Sequence, residues 1–220
     1  SLQLAAKLLP LFLNTRGKQR LSILIYHRVL SRWDAMCPFE PAVDSFDWQM
    51  RLLRKNFSPL SLQEGIARLQ AGELPERAVC VTFDDGYADN ALHALPVLEK
   101  YGIPVTVFVS TGFLDGGRMW NDSVIEGVRR FQGNELDLTG QGLGVYTFDD
   151  TAQRLTAVDD IIGKIKHRDP VDRGKIVAHL EERIPGLPDN LMMTSEQVQD
   201  LARRGVTIGA HTVNHPILAS

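Results

Sequence analysis

Two adjacent carboxylates stand directly after an apolar run in this 220-residue chain. Residues 79–83 have the alternating, β-branched character of a buried strand, and Asp84 and Asp85 follow at once, before a glycine that permits a sharp turn. A buried strand gains nothing from two charges in a row, because removing an unpaired carboxylate from water costs several kcal/mol or forces it to protonate. The strand is therefore predicted to deliver both carboxylates to a functional site.

Histidines follow two further predicted strands. His27 comes after the apolar run 21–26, and His211 and His215 come after the run 206–210. Parallel strands of a barrel or doubly wound sheet point their carboxyl ends at one face, where ligands bind. These histidines are therefore expected to meet the two carboxylates, although they lie far apart in the sequence.

This combination of side chains has the composition of an open metal site. Two histidines four residues apart and one carboxylate suit zinc, with ligand distances of about 2.0–2.2 Å and a water in the remaining position. A bound divalent ion lowers the pKa of that water to about 7 and polarises a carbonyl group, while the second carboxylate accepts the proton. The pattern predicts hydrolysis and excludes redox chemistry, but spacing alone leaves open which aspartate takes which role.

Each motif has a simpler explanation when it is taken alone. An isolated H-x-x-x-H pair is more often structural, and the zincin pattern is absent because Thr212 stands at the position of its glutamate. An isolated Asp-Asp-Gly sequence is usually a solvated turn, and His27 alone is also explained as a half-buried histidine with satisfied hydrogen bonds. Because the motifs occur together at the ends of three predicted strands, a functional site is favoured over these separate explanations.

The composition limits the classes of function. The chain is 44% hydrophobic and 23% charged, with a net charge of -3, which is typical of a globular protein and not of a disordered chain. Without an excess of Lys and Arg, nucleic acid is not an expected partner. The apolar stretch 2–13 is interrupted by Pro10 and is too short to span a bilayer. No signal peptide is visible, so the compartment, cytoplasm or cell envelope, stays open.

Alternating strand and helix patterns predict an α/β fold. Strands are predicted at residues 21–26, 79–83, 104–109 and 206–210, the first and last of them buried. Helices are predicted at 45–57 with Ser45 as its cap, and at 62–70 after a capping box, Ser61-x-x-Glu64. Two more are predicted at 89–101, closed by Gly102, and after the Thr194 capping box as far as Gly205. In the helix 89–101, Leu92, Leu95, Leu98 and Tyr101 are expected to face inward. The strand–helix–strand unit 79–109 predicts two parallel neighbouring strands.

The segment 114–190 interrupts this rhythm. Helical patterns are visible at about 121–132, 151–166 and 171–183, with a hairpin-like piece at 136–148. Because its apolar content looks thin, the segment is predicted to be an insertion that forms a wall or lid beside the site, and not a second domain.

The motifs T-F-D-D-G (82–86) and H-T-x-x-H (211–215) resemble the first two signature motifs of the polysaccharide deacetylase family, carbohydrate esterase family 4, also called the NodB-homology domain. The resemblance covers the chain from about residue 21 to the end, apart from the segment 114–190. It implies a domain at 21–220 that follows an N-terminal helix and linker at 1–20. It also implies a distorted (β/α)7-type barrel that removes N-acetyl groups from an N-acetylated sugar polymer, by hydrolysis of a linear amide.

The resemblance assigns roles to four residues. It implies that Asp84 is the catalytic base and that Asp85, His211 and His215 bind a divalent metal, usually zinc. The expected partner is an N-acetylated polysaccharide or oligosaccharide, and neither nucleic acid nor a membrane span is expected.

The stretch Ile25-Tyr26-His27-Arg28 resembles the N-terminal Y-H motif of the branch that deacetylates poly-N-acetylglucosamine of biofilm matrices. In that branch the motif order is permuted and the early histidine is the general acid. His27 is therefore predicted to protonate the leaving amine, a role that suits a side chain titrating near neutral pH. Since only four core strands are recognisable, the barrel is expected to be incomplete, with about two to three strands following Ser220 or a neighbouring chain covering the edge.

Aromatic residues near the motifs are candidates for contact with sugar. Trp120, beside Asn121 and Asp122, and Tyr87 are candidate substrate-binding residues, although a tryptophan is more often part of a core. Three alternative functions stay open: an amide or formamide hydrolase of the same superfamily acting on a small molecule, a non-catalytic carbohydrate-binding protein, and a metal-dependent phosphoesterase. The phosphoesterase is disfavoured because no Arg or Lys cluster adjoins the motifs.

Overall fold

The computed structural model describes residues 19–216. Within this range the chain forms seven strands: β1 (Ser22–Tyr26), β2 (Ser58–Pro59), β3 (Ala78–Phe83), β4 (Val105–Val109), β5 (Glu135–Asp137), β6 (Val145–Thr147) and β7 (Thr207–Ala210). Strands β1, β3, β4 and β7 lie side by side in that order and are all parallel, and β2 pairs with the start of β3. Strands β5 and β6 form a separate antiparallel pair.

Helices connect and cover these strands. The described residues contain α1 (Val43–Asn56), α2 (Leu62–Ala71), α3 (Leu95–Tyr101), α4 (Trp120–Arg130), α5 (Thr151–Ile165), α6 (Pro170–Arg183) and α7 (Ser195–Arg203). The predicted α/β class is confirmed, and so is the parallel pairing of β3 with β4. The described residues form an open sheet, with β1 and β7 at its edges, and not a closed barrel. None of their helices is both long enough and apolar enough to cross a membrane.

The strand β3 lies at the centre of the main core. All six of its residues are buried, and Phe83 at its end packs against Tyr26 of β1 and Phe46 of α1. The three rings lie 5.2 to 5.9 Å apart, centroid to centroid. Aromatic contacts of this kind add to the stabilisation that burial provides. These contacts fix the end of β3 at the point where Asp84 and Asp85 follow it.

The two edge strands are less buried than predicted. In β1 the side chains alternate, and Ile23 and Ile25 are 46% and 61% exposed. In β7, Thr207 and Ala210 are exposed, while Ile208 packs against the core. The prediction that both strands are buried was wrong, because the alternation in β1 shows that only one face of that strand is covered, and β7 is exposed at both of its ends.

Two helix predictions also needed correction. Helix α1 begins at Val43 behind Ala42, so Ser45 lies inside the helix and not at its cap. Helix α3 is preceded by a π-helical turn, Asn90–Ala94, and Leu92 points outward with 59% of its surface exposed. A π turn contains an extra residue and so changes the phase of the side chains. The predicted inward position of Leu92 was therefore wrong.

Other predicted helix ends are confirmed. The Oγ atom of Ser61 accepts a hydrogen bond from the backbone of Glu64 at the start of α2. Thr194 and Gln197 form a reciprocal capping box at the start of α7. Helix α3 ends at Gly102, whose left-handed backbone conformation favours glycine.

The segment 114–190 contains the predicted helices, now α4, α5 and α6, and the predicted hairpin, β5–β6. These elements enclose a second buried cluster, which consists of Met36, Val124, Val128, Leu136, Leu138, Phe148, Ala157, Val158, Ile161, Ile165, Ile176, Val177 and Leu180. The expectation of thin apolar content was wrong, because the apolar residues are distributed over three amphipathic helices and a hairpin that only tertiary packing brings together.

Candidate metal centre

The D-D-G turn leaves β3 with its backbone fixed to both neighbouring strands. The N–H of Asp84 donates to the carbonyl of Tyr26 at 2.9 Å, and the carbonyl of Asp85 accepts from Ser110 at 3.0 Å. Asp85 and Gly86 both have positive φ, 75° and 88°, which turns the chain sharply. A non-glycine residue with positive φ is uncommon and is found disproportionately at functional sites.

Three ligand atoms meet beside this turn. Oδ1 of Asp85 lies 3.4 Å from Nε2 of His211 and 3.3 Å from Nε2 of His215. The three residues form a group whose ligand atoms all lie within 4.8 Å of one another. The structure therefore brings these three predicted ligands together, and their assignment as ligands remains a prediction.

The arrangement fits a tetrahedral cation. Two atoms that each lie about 2.0–2.1 Å from one tetrahedral ion are about 3.3–3.4 Å apart, which matches the spacing from Asp85 to each histidine. Oδ1 of Asp85 is buried and has no hydrogen bond to any residue that the structure describes. Burial raises the pKa of Asp85, although His215, His27 and His211 oppose this rise. A cation at this point would complete the coordination of the buried oxygen and favour the carboxylate form.

The loop with the two histidines rests on the loop that follows β4. The N–H of His211 donates to the carbonyl of Val109 at 2.9 Å, and Oγ of Ser110 donates to the carbonyl of His211 at 2.9 Å. The N–H of Gly112 donates to the carbonyl of Val213 at 2.8 Å. These bonds hold the H-T-V-N-H loop against the neighbouring strand end.

Sequence reasoning missed the supporting role of Ser110 and Gly112. A Cβ atom at Gly112 would lie 2.6 Å from Oδ1 of Asn214 and 2.6 Å from the carbonyl oxygen of Val213, so the close approach requires glycine. The available signal was a polar turn, Ser-Thr-Gly, at the end of a third parallel strand.

Asp84 and His27 lie at the same edge of the sheet. Asp84 is half-buried, and its charge contributes to the raised pKa of Asp85. His27 is exposed at the end of β1, where its carbonyl accepts a hydrogen bond from Asn90 at 2.9 Å. His27 is not part of the three-ligand group.

Glu40 is a further charged neighbour that sequence reasoning did not find. Its Oε2 atom accepts from the backbone N–H of Arg28 at 3.2 Å. Burial raises the pKa of Glu40, while His27 acts to lower it, so the two side chains interact electrostatically. Glu40 lies in a loop without a clear sequence pattern, which offered no signal.

The two predicted sugar-contacting aromatic residues are engaged within the protein. Tyr87 is buried, and the guanidinium of Arg28 lies 4.6 Å from its ring centroid. Trp120 is half-buried, with the guanidinium of Arg173 at 4.7 Å from its ring. Each ring therefore has one face covered by a cation, and contact of either with a sugar stays a prediction.

Comparison with known proteins gives matches to deacetylases. Residues 71–138 match the family model described as polysaccharide deacetylase. Over 100 residues, 44% of this chain, the sequence is 35% identical to YxkH of Bacillus subtilis, a protein described as a polysaccharide deacetylase. Over 68 residues, 30% of this chain, it is 35% identical to the poly-β-1,6-N-acetyl-D-glucosamine N-deacetylase of Staphylococcus aureus. The aligned parts span 34% and 23% of the length of these two relatives.

Two solved structures match this chain at low sequence identity. A de-N-acetylase from Aggregatibacter actinomycetemcomitans has a TM-score of 0.46 at 17% identity, covering 88% of this chain and 54% of that one. IcaB from Ammonifex degensii has a TM-score of 0.40 at 22% identity, covering 91% of this chain and 88% of that one.

The region matched by the family model contains β3, the D-D-G turn and β4. It therefore includes Asp84 and Asp85 together with the loop residues that support the histidines. The resemblance drawn from the two motifs is confirmed by the match of residues 71–138 to the polysaccharide deacetylase family model.

Proposed function

We propose that this protein is a zinc-dependent hydrolase that removes N-acetyl groups from an N-acetylated sugar polymer. The observation that carries the proposal is the convergence of Asp85, His211 and His215, with Oδ1 of Asp85 at 3.3–3.4 Å from Nε2 of each histidine, next in sequence to a second carboxylate, Asp84, whose charge acts on Asp85. The match of residues 71–138 to the polysaccharide deacetylase family model supports the reaction class.

The three converging residues are the proposed metal ligands. Two imidazole nitrogens and one carboxylate oxygen form a donor set that suits zinc and leaves one position open. When bound, the ion would lower the pKa of a water and polarise the acetyl carbonyl. Oδ1 of Asp85 is buried and has no hydrogen-bond donor among the described residues, which supports this assignment, because a buried carboxylate oxygen without such a partner is costly.

Asp84 is the proposed general base. Its backbone is held by Tyr26, and its neighbour Asp85 points to the proposed ion, so the carboxylate of Asp84 is left to accept a proton from the attacking water. A positioned base of this kind contributes about 10²–10⁴-fold to the rate.

His27 is the proposed general acid. Water adds to the acetyl carbon, the carbon–nitrogen bond then breaks, and the leaving nitrogen needs a proton to depart as a neutral amine. His27 directly follows β1 at the same edge of the sheet, where the side-chain amide of Asn90 donates a hydrogen bond to its carbonyl. The products are acetate and a free amino sugar.

The proposed substrate is a polymer, and residues 21–220 are proposed to form the deacetylase domain, with the segment 114–190 as a wall beside the site. Relatives from Staphylococcus aureus carry the name poly-β-1,6-N-acetyl-D-glucosamine N-deacetylase. Oligomers of β-1,6-linked N-acetylglucosamine are therefore the first substrates to test.

The test is acetate release from a β-1,6-linked N-acetylglucosamine pentamer by the zinc-loaded protein. We expect turnover by the wild type and a loss of about 10²–10⁴-fold in Asp84→Asn. The matched control is Asp172→Asn, which changes an exposed carboxylate on α6 and should leave the rate unchanged. Release of formate or phosphate from other substrates, without acetate, would overturn the proposal, and so would binding of the pentamer without turnover.

A further inference from the structure

A separate cavity opens beside the proposed metal site. It has a volume of about 610 Å³ and lies between the loop that follows β1, the π-helical turn, α4 and residues 190–191. The described residues that line it include neither the three proposed ligands nor Asp84 or His27. A cavity of this size accommodates a small polar ligand or one part of a larger one.

Two ion pairs form the wall of the cavity. Nε of Arg28 lies 2.9 Å from Oδ2 of Asp89, and Nη2 of Arg129 lies 2.7 Å from Oδ2 of Asp34. Asp89 also accepts from the backbone N–H of Val29 at 3.2 Å. The two pairs hold planar hydrogen-bonding groups in fixed positions, and their opposite charges largely cancel. Such a wall suits an uncharged ligand with many hydroxyl groups.

The rim of the cavity is aromatic and apolar. Trp33 is 67% exposed, and Leu92 is 59% exposed. The indole of Trp33 thus offers an aromatic face, with a polar N–H at its edge, to a ligand that enters the cavity. A pyranose ring combines an apolar C–H face, which stacks on an aromatic ring, with hydroxyl groups around its edge. The rim and the wall together match these two properties.

Residues that line the cavity are close neighbours in sequence of the proposed acid and base. Arg28 directly follows His27, and Ala88 and Asp89 lie two and three residues after Gly86 of the D-D-G turn. A polymer that binds in the cavity therefore lies next to the two loops that carry the proposed acid and base.

We propose that this cavity is a second carbohydrate subsite, which binds an uncharged sugar unit of the polymer away from the acetamido group that is hydrolysed. The proposal rests on the proposed function for the identity of the polymer. Three arginines line the cavity, Arg28, Arg32 and Arg129, so a small anion is the competing ligand that the experiment has to separate.

The binding test follows the indole N–H signal of Trp33 by NMR in the zinc-loaded Asp84→Asn protein, with Trp33→Phe to assign the signal. The β-1,6-linked N-acetylglucosamine pentamer should shift this signal saturably, and Trp33→Ala should weaken binding about tenfold, or by about 1.4 kcal/mol. The matched control is Trp48→Ala on α1, which removes a tryptophan that is 43% exposed and does not line the cavity. A shift with sodium phosphate but not with the pentamer would overturn the proposal.

The kinetic test separates the subsite from the proposed function. Trp33→Ala should raise KM for the pentamer about tenfold, at unchanged kcat, and should not affect the monomer, while Trp33→Phe should retain most of the affinity. If the wild type releases no acetate but the pentamer still shifts the Trp33 signal, the proposed function fails and the subsite stands. If acetate is released but Trp33→Ala changes neither KM nor binding, the subsite fails and the function stands.

Discussion

The hydroxyl group of Tyr87 donates to both carboxylate oxygens of Asp122, at 3.1 and 3.2 Å. Tyr87 follows the D-D-G turn directly, and Asp122 lies in the first turn of α4. Both residues are buried. This pair therefore links the turn that carries the proposed base to the segment 114–190 by a hydrogen bond that water does not reach.

Removing the donor of this pair should destabilise the protein. Tyr87→Phe leaves the buried carboxylate of Asp122 without its hydroxyl donor, at an expected cost of about 1–3 kcal/mol in the free energy of unfolding. Urea denaturation measures this loss. Tyr146→Phe is the matched control, because the hydroxyl of Tyr146 donates to Asp160 at 2.8 Å at a site open to water. Its loss should be smaller, and equal losses in the two variants would contradict the prediction.

The same pair predicts a pH dependence of stability. Burial raises the pKa of Asp122 from its ordinary 3.8 to about 6, although Arg28 and Tyr87 oppose the rise. Because the folded state binds this proton more tightly than the unfolded chain, its contribution to stability is fully present below about pH 4 and is lost as the pH rises through about 6.

Asp122→Asn removes this titration and provides the comparison. Between pH 4 and pH 7.5 the wild type should lose about 2 kcal/mol relative to the variant, because the shift of this pKa from 3.8 to about 6 corresponds to about 3 kcal/mol at full protonation, and part of that is already lost at pH 4. Urea denaturation at both pH values gives the difference directly. A difference that stays constant between the two pH values would show that burial does not shift this pKa.

The meeting of Asp85 with His211 and His215 was predictable from the sequence. Each residue follows an apolar run, and parallel strands end at the same edge of a sheet, so alignment of the strands was enough to bring the motifs together. The two histidines are only four residues apart, so a single loop after β7 brings both to the same place. The proposed roles of Asp84 as base and Asp85 as metal ligand were not predictable from spacing, because both residues follow the same strand end.

Other features depend on tertiary neighbours that the sequence does not specify. Ile25 in β1 has the same apolar pattern whether one or both faces of its strand are covered. The outward position of Leu92 results from a π turn, which the helical periodicity does not reveal. The pair Tyr87–Asp122 joins two parts of the chain that are 35 residues apart, and each residue alone has an ordinary sequence context.

The glycine after β4 should be required for metal binding. A side chain in Gly112→Ala would lie 2.6 Å from the carbonyl oxygen of Val213, so the H-T-V-N-H loop has to move and the ligand distances have to change. We expect zinc affinity to fall at least about tenfold, or by about 1.4 kcal/mol, in competition with a chromophoric chelator. Gly163→Ala in α5 is the control, because no described atom lies within 4 Å of the added methyl group.

The control variant should behave differently in two respects. Zinc affinity in Gly163→Ala should match the wild type, and stability should rise by up to about 1 kcal/mol, because alanine favours a helix more than glycine does. Unchanged zinc affinity in Gly112→Ala would show that the two loops do not position the proposed ligands.

Zinc should stabilise the folded protein through the three proposed ligands. At a free zinc concentration one hundred times the Kd, the free energy of unfolding should rise by about 2.7 kcal/mol, and chelation should reverse the rise. In His211→Ala this stabilisation should disappear, whereas His167→Ala, an exposed histidine outside the group, should retain it. Stabilisation of His211→Ala to the wild-type extent would place the metal elsewhere.

Replacement of His27 should separate proton donation from metal binding. His27→Ala is expected to lower acetate release from the N-acetylglucosamine pentamer by about 10²–10⁴-fold and to keep the zinc affinity of the wild type, since His27 is outside the three-ligand group. His179→Ala, on α6, is the control and should keep both. Loss of zinc in His27→Ala would instead make His27 a ligand.

A substrate whose leaving group needs no proton tests directly whether His27 is the general acid. Nitrophenolate departs as a stable anion and needs no proton, so hydrolysis of 4-nitrophenyl acetate should be far less sensitive to His27→Ala than hydrolysis of the sugar amide. Asp84→Asn should impair both reactions, because each needs an activated water. If His27→Ala slowed the ester and the amide equally, the side chain would act before the carbon–nitrogen bond breaks, and the role of general acid would be wrong.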